Sequence, residues 1–272
     1  MAASAANSDG GGGDGGAAPR GGGPPQRPPP GNPTKIAQGS RLDVDARLLK
    51  ELKEQMLCNQ RDDSVVFAEP LQRSGPGLRE WVAVILGPED SVYEGGAFQL
   101  SLCFPDGYPL QPPVVKFRTK IFHPNVWARP DEKFGQICLD ILDDQWSPAL
   151  RVQQVLLSIM ALLQSPNAER ALDKMVGQMY SSNRTLFSQT AKKWLTEDSF
   201  RSKDVRQLHG MFSSTRRIVG ALRECSNNLD DALNLLLDES WEPSIKLLLG
   251  VHAQHAAVVA ASVAENSAAP AA

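Results

Sequence analysis

The chain has 272 residues, of which 42% are hydrophobic and 22% charged, with a formal net charge of −3. That mix suits a globular fold with room for one sizeable domain and a small one, and the lack of basic excess argues against nucleic acid or an anionic membrane as partner. No apolar run approaches the roughly 18–20 residues of a membrane helix, and no basic-then-apolar order marks a secretory signal.

Residues 1–40 hold 11 of the 22 glycines and 7 of the 20 prolines and almost no large apolar side chain. Such a segment cannot bury enough surface to offset its ordering entropy, so it is expected to be a disordered extension. Order is expected from near Leu42, where Leu48, Leu49, Leu52 and Met56 follow helical spacing. Four extended runs come next: Val65–Glu69, Glu80–Leu86 (alternating around Trp81, Ala83 and Ile85), Ala97–Phe104 and Val114–Phe117. Gly- and Pro-containing turns separate them, which predicts an antiparallel four-strand meander. Ile121 to Leu150 reads as irregular and dense in Pro, Gly, Asp and Trp, the kind of long loop that carries function on a rigid scaffold. Val152–Leu163 is strongly apolar and predicts a core helix; Asp173–Tyr180 and Thr185–Leu195 are shorter and amphipathic.

The polar stretch 199–204 reads as a linker. Beyond it, Val205–Phe212, Thr215–Cys225 and Leu229–Asp238 predict a small three-helix module over 205–239, followed by an Ala-rich tail, 240–272. The overall expectation is an α+β domain over 41–198, with an N-terminal helix, the meander and C-terminal helices, plus that module.

The four cysteines, Cys58, Cys103, Cys138 and Cys225, are widely spaced and include no C-x-x-C pair. This argues against a disulfide framework or a structural zinc and for a reducing setting, cytoplasmic or nuclear. There a useful cysteine serves more often as a nucleophile than as a staple. Cys103 lies inside a strand pattern and Cys58 and Cys225 in or beside helices, so burial as small hydrophobes is expected for those three. Cys138 stands apart in the polar loop region.

Five strings occur in order: Tyr93-Glu94-Gly95-Gly96, Tyr108-Pro109-Leu110-Gln111-Pro112-Pro113, His123-Pro124-Asn125, Ile137-Cys138-Leu139-Asp140 and Trp146-Ser147-Pro148-Ala149. Each alone is a weak signal; the ordered series resembles the conjugating domain of ubiquitin-conjugating enzymes, a match that covers about residues 41–198. The resemblance implies that the Cys138 thiol accepts the ubiquitin C-terminus from the ubiquitin-activating enzyme as a thioester and passes it to lysine amines of substrates or of ubiquitin, usually with a ubiquitin ligase. Sulfur suits this step because a thiolate is both a good nucleophile and a good leaving group. ATP is used upstream by the activating enzyme, so no cofactor and no metal is implied here. Asn125 is similar to a family asparagine that supports the oxyanion of aminolysis, a role worth about 3 kcal/mol by analogy with other oxyanion donors, or that braces the loop. Asp140 resembles an acidic position near the incoming amine. His123 and Pro124 are structural in the family; a Cys–His protease pairing of His123 with Cys138 is the rival reading.

Two departures from the family pattern stand out. Where an acidic Pro-Asp-Asp-Pro-type segment often guides the lysine, this chain has Pro166-Asn167-Ala168-Glu169-Arg170, with Arg170 where an acid is common. The loop Val126–Ile137 is also several residues longer than in compact members. By the same resemblance, Arg47, Lys50 and Lys53 on the first helix would dock the activating enzyme, and Leu110 with Ser147, Pro148 and Ala149 would meet ligases. The segment 205–239 resembles a ubiquitin-associated or CUE-type module whose Met211, Phe212, Leu236 and Leu237 would meet ubiquitin. Rival functions are a conjugating enzyme for another ubiquitin-like modifier and a non-catalytic ubiquitin-binding adaptor, which would lack the cysteine.

Overall fold

A computed structural model describes residues 33–61 and 65–249. Helix α1 (Pro33–Asn59) is the first element among the described residues. It begins earlier than the apolar spacing from Leu42 predicts, so residues 33–40 are helical backbone rather than part of a structureless extension. A proline tolerates that first position because its missing N–H has no intrahelical partner there. The rest of the expected extension, 1–32, lies outside the described residues, as does 250–272 of the Ala-rich tail.

Four strands follow: β1 (Val66–Pro70), β2 (Glu80–Leu86), β3 (Gly96–Cys103) and β4 (Val114–Phe117). They pair antiparallel in the order β1-β2-β3-β4, the expected meander. In register, Ile85 faces Val66 and Phe98, and Leu102 faces Trp81 and Val115. Because side chains alternate along a strand, Trp81, Ala83 and Ile85 of β2 point to one face with Phe98, Leu100 and Leu102 of β3. On that face they pack against Val44, Leu48 and Leu52 of α1, and against Val155, Leu156, Ile159 and Leu163 of α2 (Val152–Gln164). Helices α3 (Lys174–Ser182) and α4 (Arg184–Asp198) complete the helical end, with Phe187 and Ala191 in the same core.

The expected linker at 199–204 is not a free connection. Phe200–Arg201 form a fifth strand, β5, that pairs with Gly96 and Ala97 of β3, and Ser202 N–H donates to Gly95 C=O at 2.9 Å. Gly96 also leaves room for the end of α4: a Cβ there would stand 2.2 Å from Leu195 Cδ1. Helices α5 (Ser202–Met211), α6 (Thr215–Glu224), α7 (Leu229–Leu237) and α8 (Ile245–Leu249) then fold back over the other face of the sheet.

The three helices expected over 205–239 are thus present and packed on the sheet rather than standing free of it. Phe67, Val82, Val84, Leu86 and Ala97 of the sheet share one core with Val205, Leu208, Ile218, Leu222, Leu236 and Leu248. His209 stacks on Phe67 with ring centroids 3.9 Å apart. Glu69 Oε1 accepts from Ser214 Oγ and from Arg216 N–H, each at 2.6 Å. The cause lies in β2, whose apolar residues fall on both faces: the outer row, Val82, Val84 and Leu86, removes its surface from water only under a cover. No helix among the described residues is long and apolar enough to cross a membrane.

Candidate active site

Cys138 sits half-buried in the connection between β4 and α2. Its N–H donates to Asn125 C=O at 2.9 Å, and an antiparallel bridge joins Val126 to Ile137 just beside it. The thiol is thus carried on backbone anchored to the His123-Pro124-Asn125 string. None of the four cysteines is in a disulfide. Cys103, expected to be buried, is exposed because it ends β3, beyond the covered part of the sheet; Cys58 and Cys225 are half-buried.

His123 is buried, 1% exposed. Its Nδ1 accepts from Asn125 N–H at 3.0 Å, which leaves the proton on Nε2, donated to Leu162 C=O at 3.1 Å. Burial pushes its pKa from 6.5 down to about 4, only partly opposed by the bond to Leu162. A neutral imidazole with both nitrogens engaged cannot act as a base toward Cys138, so the geometry excludes the protease pairing.

Asn125 is fully buried and uses its whole amide. Nδ2 donates to Asn167 C=O at 2.8 Å and to Arg170 C=O at 3.1 Å, and Oδ1 accepts from Asn167 N–H at 2.9 Å. Pro124 C=O accepts from Leu172 N–H at 2.9 Å. Residues 123–125 therefore strap the 167–172 segment against the cysteine loop. Asp140, two residues past Cys138, opens a short 3-10 turn, Asp140–Leu142, and its carboxylate is ion-paired with the Arg170 guanidinium. The residue that departs from the family pattern is thus brought directly to the site.

The loop 126–137, which reads as irregular in sequence, folds as a small hairpin. Trp127 N–H donates to Gln136 C=O at 2.9 Å and Gly135 N–H to Trp127 C=O at 2.7 Å. Gly135 has φ +78°, and a Cβ on it would lie 2.0 Å from Phe117 C=O, so only glycine closes this hairpin on β4. Arg129 ties the hairpin to Asp173 at 3.1 Å; Asp173 in turn caps α3 by accepting from Met175 and Val176 N–H. These contacts join distant segments and leave no periodic trace in the sequence.

Of the expected docking residues, Lys50 and Lys53 are exposed on α1. Arg47 is engaged within the fold: its Nε donates to Glu51 Oε1 at 2.5 Å, and Nη2 to Pro148 and Leu150 C=O at 3.2 Å each. Glu51, 3% exposed, also accepts from Tyr108 Oη at 2.5 Å and from Val152 N–H at 2.9 Å, satisfying a free donor at the start of α2. Sequence reasoning passed over Glu51, a lone acid on an apolar helix face. Leu110, 79% exposed, lies next to the exposed Ser147, Pro148 and Ala149: Trp146 Nε1 donates to Pro109 C=O at 2.8 Å and binds the two loops together. In the C-terminal helices Met211 and Leu237 are exposed and Phe212 is half-buried. Leu236 is a core residue, 1% exposed, which corrects its expected place on a surface patch: it points into the core shared with the sheet.

The site is thus a cysteine loop strapped to a His-Pro-Asn string, on an antiparallel meander under an N-terminal helix. Residues 47–195 match the family model described as ubiquitin-conjugating enzyme. A ubiquitin-conjugating enzyme domain from Toxoplasma gondii is 40% identical, with TM-score 0.50, over 57% of this chain and 97% of that one. A Plasmodium yoelii crystal structure assigned as a ubiquitin-conjugating enzyme is also 40% identical, with TM-score 0.51, over 57% of this chain and 95% of that one. This chain belongs to the ubiquitin-conjugating enzyme family.

Proposed function

We propose that Cys138 accepts activated ubiquitin as a thioester and passes it to lysine amines. The observation that carries this reading is the accessible thiol on the loop that Asn125 anchors. In loading, the Cys138 thiolate attacks the C-terminal carbonyl of ubiquitin held as a thioester on the activating enzyme; a new C–S bond forms, the old one breaks, and the activating enzyme's thiolate leaves. In transfer, the acceptor nitrogen attacks the thioester carbonyl; a C–N bond forms, the C–S bond breaks, and sulfur departs as thiolate while the amine gives up a proton. Asn125 acts first as the brace that sets the 167–170 wall of the site, and Asp140 as the carboxylate nearest the incoming ammonium. This chemistry draws on no cofactor or metal of this chain, and a free thiol suits a reducing compartment, cytoplasm or nucleus.

The activating enzyme would dock on Lys50 and Lys53. Leu110 and the Ser147-Pro148-Ala149 loop, joined by Trp146, form the surface we assign to ligases. Met211, Phe212 and Leu237 are the candidates for a second, weak ubiquitin contact, carried on helices fixed to the sheet; such a site raises the local concentration of acceptor ubiquitin without new chemistry.

The test is incubation with activating enzyme, ATP and ubiquitin, followed by non-reducing electrophoresis of the wild type and Cys138→Ser. A band one ubiquitin heavier, removed by thiol in the wild type and thiol-resistant in the serine variant, is the expected outcome. An adduct formed only with another modifier and its own activating enzyme would overturn the choice of ubiquitin. No adduct with any modifier would favour an adaptor.

A further inference from the structure

Arg170 and Asp140 form an ion pair at the mouth of the site, and both are open to water, with side chains 44% and 42% exposed. Their backbones are held on opposite walls. Arg170 N–H donates to Asn167 Oδ1 at 3.2 Å, and its C=O accepts from Asn125 Nδ2 at 3.1 Å. Asp140 heads the turn after Cys138, its C=O accepting from Asp143 and Gln145 N–H at 3.0 Å each. Cys138 is tied to Asn125 on one side and followed by Asp140 on the other, so an amine approaching the thiol meets this pair.

The pair sets a charge problem for a simple acceptor. A lysine ammonium is drawn to Asp140 and repelled by Arg170. If Asp140 turns to the ammonium, Arg170 loses its partner. If it stays with Arg170, the ammonium has no carboxylate there. An acceptor that brings its own carboxylate beside the lysine resolves both demands. That carboxylate takes Arg170, whose planar fork of five N–H donors suits bidentate pairing, and Asp140 is released to the ammonium. After the exchange Arg170 faces the acceptor's carboxylate and Asp140 its ammonium, so no charge is left unmatched. A solvent-exposed pair is weak enough to be exchanged in this way.

We propose that Arg170 is a specificity-determining residue that favours acceptor lysines flanked by an acidic residue, through exchange of its partner Asp140. This rests on the reading of Cys138 as the thioester carrier. The guanidinium makes no bond to the reacting carbonyl; its role is to bind the flanking carboxylate and to free Asp140.

The test uses the full chain preloaded with lysine-free ubiquitin, with loading stopped before acceptor is added. Two peptides identical except for Glu or Gln after a single lysine are compared by the rate of thioester loss and peptide conjugation. The wild type is expected to discharge about five-fold faster to the Glu peptide at low salt, near the upper range for one exposed ion pair, with the preference fading at about 0.5 M salt. Arg170→Lys keeps the direction of the preference, whereas Arg170→Glu reverses it toward a peptide with Arg at that place, which adds a positive charge but no second acceptor amine. Equal wild-type rates at low salt, or a preference that Arg170→Glu leaves unchanged, overturn the proposal. The wild-type comparison and its salt dependence decide even if the glutamate variant does not fold. Absence of a thiol-sensitive wild-type adduct would instead overturn the underlying functional reading.

Discussion

Asn125→Ala separates a brace from a direct participant in transfer. The buried amide makes three hydrogen bonds, two donated and one accepted, all to the backbone of residues 167 and 170. At about 1 kcal/mol net for each, their loss amounts to ~3 kcal/mol. Asn167 and Arg170 are exposed, so water can re-satisfy part of what is orphaned, and about 2 kcal/mol is the expected loss of stability. For a domain of this size that lowers the melting temperature by about 4–8 °C. Thermal melts of the wild type and variant by circular dichroism read this directly, alongside single-turnover discharge of the preformed thioester. The brace reading expects both to suffer, since a loosened 167–170 wall also misplaces Arg170. Asn125→Asp should not rescue either, because a carboxylate has no N–H for the two carbonyls. A variant that melts within about 1 °C of the wild type while transfer falls by roughly a hundredfold would refute the reasoning and assign the amide to the reacting carbonyl instead.

Other outcomes follow from the same packing. His123, held neutral with a pKa of about 4 against 6.5 unfolded, makes the unfolded chain bind a proton that the native chain refuses. Its contribution is intact above about pH 6.5 and is lost as pH falls toward 4, by up to roughly 3 kcal/mol. Burial lowers His209 in the same direction, whereas it raises Glu69, which works oppositely. Urea midpoints at pH 7 and pH 4.5 for the wild type and His123→Asn isolate the histidine share; equal pH dependence in both would sink the assignment. Glu51→Ala orphans Tyr108 Oη and Val152 N–H and should lower stability by about 3–5 kcal/mol in urea denaturation. A loss under about 1 kcal/mol would show that the network is dispensable. A chain ending at Asp198 bares Phe67, Val82, Val84 and Leu86, so it is expected to self-associate in sedimentation and to bind a hydrophobic dye, while a 199–249 peptide shows no cooperative melt. A peptide that folds alone would restore the independent module.

Much of the fold is legible in the chain itself, because it is local. Period-2 alternation over Ala97–Phe104, the short apolar run Glu80–Leu86, helical spacing at Leu48, Leu52 and Val155–Leu163, and Gly-Pro punctuation yield the meander and its flanking helices without any contact being known. The ordered motifs likewise single out Cys138, His123 and Asn125. Contacts between distant segments are another matter. That Arg47 is claimed by Glu51 and the Ser147–Leu150 loop, that Arg170 reaches Asp140, and that the 126–137 loop closes as a hairpin on Arg129 and Asp173 follow only from how far-apart segments meet. The sheet shows the boundary between the two. Val82, Val84 and Leu86 are as apolar as Trp81, Ala83 and Ile85, which already signals two covered faces. Sequence periodicity reports that a face is apolar but not what lies on it. The tertiary structure put the C-terminal helices there, because covering that face removes more apolar surface from water than leaving the helices on a tether would.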